Sequence, residues 1–296
     1  MQVHWSPSLN EALSAFLTDR KAKHCTPRTL EHYQTRLGGF LRFLATQEVQ
    51  TLANLTAHHI RLYYIHLQDK ELSSHTVHTC ARAIRAFLNF CVTEELLDAS
   101  PMRKVALPKR DKLLPDYLTA EEVTGLLDAC ETAREKAAIM ILLDTGLRAS
   151  EFCALNGGHV DHITGAVTVK RGKGNQDRMV FLGNRSRKQL LRYYRQHGKP
   201  GPAEPLFMGE RSGERITRFG LRLLVARAGE RANVEVTPHK LRRTFATWAW
   251  KSGIDLKALQ GLMGHSDLST LPSYLGIDAE DLQRAHNQHG PVDHLL

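Results

Sequence analysis

Apolar residues recur every three or four positions through the first hundred residues of the chain, with polar residues between them. This spacing is typical of helices that bury one face. The second run opens with Thr26 and Pro27, a favourable N-cap residue followed by a favourable first helical residue. The four predicted helices begin at about Ser8, Thr26, Thr56, and Ser73 or Ser74. Four helices with short connections indicate a compact helical bundle.

The segment SPMRKVALPKRDKLLPD, residues 100–116, interrupts the helical spacing with three prolines and clustered lysine and arginine. This composition predicts an extended, basic linker between two domains. We therefore predict a helical domain over residues 1–105, a linker over 106–116 and a second domain over 117–296.

The second domain is predicted to open with a helix, because Thr119 and Glu122 have the spacing of a capping box. Helices are predicted at about 119–130 and 132–145, and Gly146 ends the second of them. Two short strands, AVTVK and DRMVFL, follow and are joined by the glycine-containing turn RGKGNQ. Beyond the strands the pattern is again mostly helical. The predicted fold class is mainly α with a small β-sheet (α+β).

The chain is basic, with a formal net charge of +9. Residues 1–110 carry 14 Lys and Arg against 9 Asp and Glu, and the remainder carries 26 against 22. Because both halves are basic, the charge favours a polyanionic partner that touches both domains. An ordinary basic enzyme is the alternative on charge alone.

Several features bound the location of the protein. No segment approaches the roughly 20 apolar residues of a membrane span, and the N-terminus lacks the pattern of a cleaved signal peptide. The histidine pairs lack further ligands at the spacing of a metal site, so no metal is predicted. An odd number of cysteines without a C-x-x-C motif predicts buried thiols in a reducing cytoplasm. These cysteines are Cys25, Cys80, Cys91, Cys130 and Cys153.

The segment TPHKLRRTFATW, residues 237–248, crowds basic side chains into the start of a predicted helix. Thr237 and Pro238 are suited to its first positions, and His239 and Arg242 are neighbours at i and i+3. A solvated basic face is one interpretation. An anion site is the other, because a helix N-terminus presents unpaired N–H groups and the positive end of the helix dipole.

Three further segments carry candidate chemistry. In TGLRASE, Arg148 follows a glycine that ends a helix, and Glu151 lies one turn further on. In KRGKGNQDR, Lys173 lies in a tight turn between two glycines, where a backbone can approach a ligand closely. In LMGHSDLSTLPSY, His265 follows another glycine, and Tyr274 comes nine positions later.

In this order, Arg148, Lys173, His239-x-x-Arg242, His265 and Tyr274 resemble the tyrosine recombinase (phage integrase) family, and most closely its Xer-like and transposon-borne bacterial members. The resemblance covers nearly the whole chain, since the four-helix module is similar to the core-binding, SAM-like domain of that family. Each motif is common by itself; the ordered set is not. The resemblance implies a helical DNA-binding domain followed by a mixed catalytic domain with a C-terminal tail helix.

The resemblance implies a site-specific recombinase in which Tyr274 attacks a backbone phosphate, leaving a 3′-phosphotyrosyl bond and a free 5′-hydroxyl. It implies no metal, no ATP and no other cofactor. A phenol has a pKa of about 10, so it needs a neighbour that accepts or shares its proton. Glu151 resembles an acidic residue of the family, which we expect to orient either Arg148 or a neighbouring histidine.

The other members of the set match residues that act on the phosphate. Arg148 and Arg242 correspond to an arginine pair whose donor forks suit the negative oxygens of the transition state. His239 resembles the proton acceptor or hydrogen-bond partner near the tyrosine, and His265 resembles a second donor to the phosphate. Lys173 corresponds to the residue that protonates the departing 5′-oxygen.

Two positions depart from the family pattern. Arg243 stands where the family very often has histidine. Pro272, two positions before Tyr274, is expected to begin or bend the helix that carries the tyrosine. Neither change removes a predicted catalytic group.

DNA contacts are expected from basic and polar residues on both domains, most of them with phosphates. In the first domain the candidates are Arg28, His75, Thr76, Arg82 and Arg85. In the second they are Thr217, Arg218 and Arg222 on a helix suited to the major groove, together with Lys240 and Arg243.

The implied partner is double-stranded DNA with an inverted-repeat recombination site, bound by a dimer per site and a tetramer in the synapse. The protein is expected in the cytoplasm, associated with the nucleoid, and not on a membrane. Two alternatives stay open: a type IB topoisomerase-like DNA-relaxing enzyme with the same chemistry, and a non-catalytic DNA-binding protein of the same fold.

Overall fold

The computed structural model describes residues 7–109, 116–170, 177–210 and 213–264. The chain divides into two compact units, Met1–Lys112 and Leu113–Leu296. Each unit has its own hydrophobic core.

The first unit contains the four helices that the apolar spacing predicted. They are α1 (Leu9–Ala22), α2 (Pro27–Thr46), α3 (Ala57–Asp69) and α4 (Ser74–Thr93), with a short 3-10 helix at Leu52–Asn54. Each α-helix starts after a hydroxyl side chain that accepts a hydrogen bond from its first turn, as expected for N-caps. In the core, the buried ring of Phe16 meets Tyr33, Phe87 and Phe90 at centroid distances of 5.0, 5.7 and 5.4 Å.

The segment after α4 differs from the predicted extended linker. Pro101–Lys104 is a second 3-10 helix, and Met102 and Val105 are buried in the first core. The hydroxyl of Tyr64 donates to the Met102 sulfur at 3.6 Å. Only the extended conformation expected from residue 100 onward was wrong, because an apolar pair three positions apart packs into the bundle despite the surrounding prolines and charges. The predicted helical domain, residues 1–105, includes this pair.

The second unit is also mainly helical, with one small sheet, which confirms the predicted fold class. Strands β1 (Ala166–Val169) and β2 (Arg178–Phe181) pair antiparallel, with Val169 opposite Arg178. The helices are α5 (Ala120–Asp128), α6 (Ala133–Thr145), α7 (Ala149–Cys153), α8 (Asn184–His197), α9 (Arg218–Ala232), α10 (Pro238–Lys251) and α11 (Leu256–Met263), with a 3-10 helix at Gly157–His159.

Two local signals position the helices that matter for the site. Thr119 and Glu122 form the predicted capping box at the start of α5. Gly146 ends α6 with a left-handed φ of 59°, and a Cβ there would lie 2.2 Å from the ring of Phe245 on α10. The absence of a side chain at Gly146 therefore allows α6 to turn sharply against α10.

The cysteines are all thiols, but only part of the burial prediction is confirmed. Cys80, Cys91 and Cys153 are buried, whereas Cys25 and Cys130 are half-buried. Among the described residues, no helix combines the length and the apolar character that crossing a membrane requires.

Candidate active site

Arg148 occupies the N-cap position of α7, directly after the turn at Gly146 and Leu147. Its backbone N–H donates to Oε2 of Glu151, and its Nη1 donates to Oε1, both at 2.8 Å. The Arg148 side chain is 34% exposed, so its guanidinium is held by Glu151 on one side and open to solvent on another.

Arg242 lies on α10, one turn into the helix that Thr237 and Pro238 begin. Its Nη1 donates to the carbonyl oxygen of Gly146, and its Nη2 to that of Met263 at 2.6 Å. Nη1 also lies 3.9 Å from Oε2 of Glu151. The Arg242 side chain is only 3% exposed, so its charge reaches solvent less directly than that of Arg148.

Arg178, the first residue of β2, is the strongest partner of Glu151. Its Nη1 and Nη2 donate to Oε1 and Oε2 at 2.8 Å each, a bidentate pair. Arg178 was not among the residues predicted from the sequence, because a charged residue at the end of a strand has the pattern of a solvated one. Together, Arg148, Glu151, Arg178 and Arg242 form the arginine–glutamate cluster.

Glu151 is ionised under all ordinary conditions. Burial would raise its pKa, but hydrogen bonds from Arg178 and Arg148 outweigh that effect and lower the pKa to about 2. The cluster therefore combines three guanidinium groups with one carboxylate, and the surplus of positive charge favours an anion beside Arg148.

The last three carbonyls before residue 265 each accept a hydrogen bond from a different arginine of the cluster. Arg178 Nε donates to Leu262, Arg242 Nη2 to Met263 and Arg148 Nη2 to Gly264, at 2.9, 2.6 and 2.9 Å. Carbonyls at a helix C-terminus have no partner within the helix, so the arginines satisfy the end of α11. The cluster thus fixes the chain immediately before His265.

Gly264 is adapted to this arrangement in two ways. Its φ of 61° lies in the left-handed region that favours glycine. A Cβ at this position would also lie 2.8 Å from Nη1 of Arg178. A side chain at position 264 would therefore be strained by the backbone conformation and would displace the guanidinium of Arg178.

His239, one turn before Arg242, is exposed at the start of α10. Desolvation by the surrounding protein and the nearby charges of Arg243 and Arg242 lower its pKa below the ordinary value. The ring is therefore neutral at pH 7, the state in which one nitrogen can accept a proton.

The remaining predicted catalytic residues, Lys173, His265 and Tyr274, lie outside the described residues, as does the predicted tail helix. The structure thus brings together Arg148, Glu151 and Arg242 of the predicted set, with His239 on the same helix as Arg242.

The predicted DNA-contacting residues of the first unit lie on two helices. Arg28 is exposed in the first turn of α2. His75 and Arg82 are exposed on α4 and are two turns apart, so they share a face, whereas Thr76 and Arg85 are half-buried.

In the second unit, the start of α9 presents the predicted groove-binding residues to solvent. Thr217 caps the helix by accepting from the Gly220 N–H at 3.0 Å, and Arg218 and Arg222 are exposed. Phe219 between them is 77% exposed. The two guanidinium groups suit contact with phosphates, and the exposed apolar ring between them suits contact with a thymine methyl group.

Lys240 and Arg243 on α10 are less available than the sequence suggested. The Lys240 ammonium pairs with Oδ1 of Asp116 at 2.9 Å, and its side chain is 14% exposed. Arg243 is half-buried.

Other candidate sites in the described residues are weaker. A cavity of about 840 Å³ beside α9 is lined by Tyr193, Met208 and Phe219 among others, and no member of the arginine–glutamate cluster lines it. In the same part of the chain, no group of three or more His, Cys, Asp or Glu side chains is placed to hold a metal ion.

Comparison with known proteins gives concordant matches for both units. The phage integrase family matches residues 116–280, and the phage integrase N-terminal SAM-like domain matches residues 13–98. Tyrosine recombinase XerA of Thermococcus kodakarensis is 31% identical over 291 residues, covering 97% of this chain and 98% of the relative. Tyrosine recombinase XerC of Oceanobacillus iheyensis is 31% identical over 283 residues, covering 91% and 92%.

Among solved structures, a lambda integrase tetramer bound to a Holliday junction matches with a TM-score of 0.75. The match covers 91% of this chain and 78% of the lambda integrase chain at 16% identity, so it shows a shared fold.

Proposed function

We propose that this chain, which belongs to the phage integrase family and is a tyrosine-type site-specific recombinase, cuts and rejoins DNA through a covalent bond to Tyr274. In the first step the phenolic oxygen of Tyr274 attacks a backbone phosphorus, and the bond from phosphorus to the 5′-oxygen breaks. The products are a 3′-phosphotyrosyl bond and a free 5′-hydroxyl. The 5′-hydroxyl of a second strand then attacks the phosphotyrosyl bond and releases the tyrosine.

The observation that carries this proposal is the surplus of positive charge in the arginine–glutamate cluster. A phosphoryl transition state concentrates negative charge on the non-bridging oxygens, and preorganised guanidinium groups stabilise that charge. Arg148 is the most exposed arginine of the cluster and already has a fixed orientation through Glu151. We assign it the first contact with the scissile phosphate, with Arg242 supplying a second charge behind it.

Proton transfer is assigned to His239 and Lys173. The lowered pKa of His239 keeps the ring neutral, so it can take the proton that the Tyr274 hydroxyl loses. Lys173 then protonates the departing 5′-oxygen. His265 donates to the phosphate, a role supported by the three arginine contacts that hold the residues directly before it.

No metal and no ATP are required in this scheme. Each transesterification replaces one phosphodiester-type bond by another, so bond energy is conserved through the covalent intermediate. The guanidinium groups supply the charge stabilisation that metal ions supply in other phosphoryl transfers.

The substrate we assign is duplex DNA with inverted repeats around a short spacer, bound by a dimer per site and a tetramer in the synapse. The solved lambda integrase tetramer on a Holliday junction supports this arrangement through its shared fold. Exposed basic residues on both units, such as Arg82 and Arg222, would neutralise phosphates along the duplex. We assign the protein to the cytoplasm, on nucleoid DNA.

The decisive experiment traps the covalent intermediate on a nicked duplex. The DNA flanking the gene is searched for inverted repeats of about one helical turn each, roughly 11 base pairs, and these define the probe. Wild-type protein with EDTA and without ATP should give an adduct that survives denaturing electrophoresis, and Tyr274→Phe should give none. An identical lack of adduct with both proteins, on a probe that both bind, would establish a non-catalytic DNA-binding protein.

A second assay separates recombination from simple relaxation. A supercoiled plasmid with two copies of the repeat should yield four-way junctions and recombinant circles. Relaxation of any plasmid without junctions would assign the protein to topoisomerase IB-like chemistry instead.

A further inference from the structure

Arg178 has a bonding pattern that differs from that of Arg148. Both Nη atoms of Arg178 donate to Glu151, Nε donates to the Leu262 carbonyl, and the side chain is 11% exposed. Its donor fork faces protein acceptors, whereas Arg148 is 34% exposed. Arg178 is therefore placed to organise the site and not to contact a phosphate.

Arg178 also connects three elements that lead to predicted catalytic residues. It is the first residue of β2, opposite Val169, at the base of the hairpin whose connecting segment contains Lys173. Through Glu151 it holds α7, which begins at Arg148. Through Leu262 it holds the end of α11, directly before His265.

The charge of Glu151 gives Arg178 a specific task. Glu151 also contacts Arg148 at 2.8 Å and lies 3.9 Å from Arg242. If Arg178 were absent, the buried carboxylate would be neutralised by those two arginines alone. Glu151 and the DNA phosphate would then compete for the same two arginines, because both anions attract the guanidinium charges.

We propose that Arg178 is a positioning residue for DNA cleavage, which neutralises Glu151 so that Arg148 keeps its charge for the phosphate and fixes the end of α11 before His265. This inference rests on the proposed function of the site. It assigns a role to a residue outside the six that match the family motif.

A double-substitution series tests the proposal by single-turnover cleavage of the nicked duplex at saturating protein, per folded molecule. Arg178→Gln removes the charge but keeps a donor for Leu262, and is expected to slow cleavage about 10- to 100-fold with little change in duplex affinity. Adding Glu151→Gln should recover part of that loss, because the competing carboxylate is gone. Glu151→Gln alone should slow cleavage.

The matched control is Arg231, which makes similar contacts away from the site. Its Nε donates to the Ala129 carbonyl at the end of α5 and its Nη2 to Glu135, both at 2.8 Å. Arg231→Gln should cleave at the wild-type rate per folded molecule. The proposal is overturned if Arg178→Gln cleaves at the wild-type rate. It is also overturned if the fold reduction in the rate of the double variant equals the product of the fold reductions in the two single variants.

A measurement independent of cleavage separates this inference from the proposed function. If wild-type protein forms no covalent adduct, the proposed function fails, and Arg178 is then tested by NMR titration of the Glu151 carboxyl carbon. Loss of the Arg178 charge should raise the pKa of Glu151 in Arg178→Gln relative to wild type. An unchanged pKa would refute the role of Arg178 toward Glu151, including in a protein that does not cleave DNA.

Discussion

Nη2 of Arg148 lies 2.9 Å from the carbonyl oxygen of Gly264, 116 positions further along the chain. The same guanidinium contacts Glu151 through Nη1. Arg148 therefore links the start of α7 to the residue directly before His265, and its planar fork allows both contacts in one plane.

Arg148→Lys should retain duplex binding and lose cleavage. A lysine keeps the charge but cannot span Glu151 and Gly264 as a fork, so the group that meets the phosphate is misplaced. We expect adduct formation to fall about 100- to 1,000-fold, as for the loss of one preorganised donor. Electrophoretic mobility shift and single-turnover trapping on the same probe measure the two properties. Equal losses of binding and cleavage would contradict the assigned role.

Glu151→Gln should change how stability depends on pH. The folded-state pKa of Glu151 is about 2, below its ordinary value of 4.5, so its charge stabilises the fold above pH 4.5. That contribution, about 3 kcal/mol at full ionisation, is lost as the pH falls from about 4.5 to 2. The variant should lack this part of the acid destabilisation.

Urea unfolding at a series of pH values, followed by the fluorescence of Trp248 and Trp250 on α10, tests this prediction. Exposed Glu230 is the control, and Glu230→Gln should retain the wild-type acid dependence. If the free energy of unfolding falls equally with pH in wild type and in Glu151→Gln, the expected contribution of the Glu151 charge is ruled out.

Glycine-to-alanine substitutions should have opposite effects at two helix positions. Gly146→Ala places a methyl group 2.2 Å from the Phe245 ring at a left-handed φ, and should lower the free energy of unfolding by about 2–4 kcal/mol. Gly125 on α5 has no neighbouring heavy atom within 4 Å of such a methyl group. Gly125→Ala should raise stability by about 0.5–1 kcal/mol. Equal effects in a thermal scan would contradict the packing described for Gly146.

Cleavage should slow as the pH falls below the ordinary histidine range, because protonated His239 cannot accept a proton. The lowered pKa places this loss below pH 6.5, with a flat rate just above it. His239→Gln should cleave about 100-fold more slowly, and its rate should no longer fall with pH in this range. His32 of the first unit also has a pKa lowered by burial. His32→Gln is therefore the control, and its cleavage rate should fall at low pH as in wild type.

Arg222→Ala should weaken duplex binding and reduce its salt dependence. The loss of one phosphate contact lowers the slope of log affinity against log salt by about one. Arg227 on the same helix is the control, because its Nη1 pairs with Glu210 at 3.7 Å. Fluorescence anisotropy over a salt series should show the wild-type slope for Arg227→Ala. If both variants have the wild-type slope, α9 is not part of the protein surface that contacts DNA.

The parts of the fold that short-range patterns encode were predictable from the sequence. The capping box of Thr119 and Glu122 and the glycine stop at Gly146 are formed by neighbouring residues, so their spacing alone indicated the helix ends. The 3-10 helix at Pro101–Lys104 was missed because its burial depends on the bundle around Met102.

The site likewise combines a contact between neighbouring residues, which the sequence indicated, with contacts that depend on tertiary packing. Arg148 and Glu151 are three residues apart, and their relationship was anticipated. Arg178 meets Glu151 across 27 positions and Leu262 across 84. Those contacts exist because β2, α7 and α11 pack together, and no pattern within DRMVFL indicates that packing.

The unequal number of guanidinium and carboxylate groups around Arg148 has a practical consequence for work at the bench. Sulfate and inorganic phosphate resemble the group that Arg148 is assigned to bind, so they should act as competitive inhibitors of strand cleavage. Chloride salts are therefore the appropriate medium for kinetics, because carboxylate buffers such as acetate also pair with guanidinium groups. Conversely, a sulfate-rich crystallisation liquor offers a direct way to visualise where the scissile group sits.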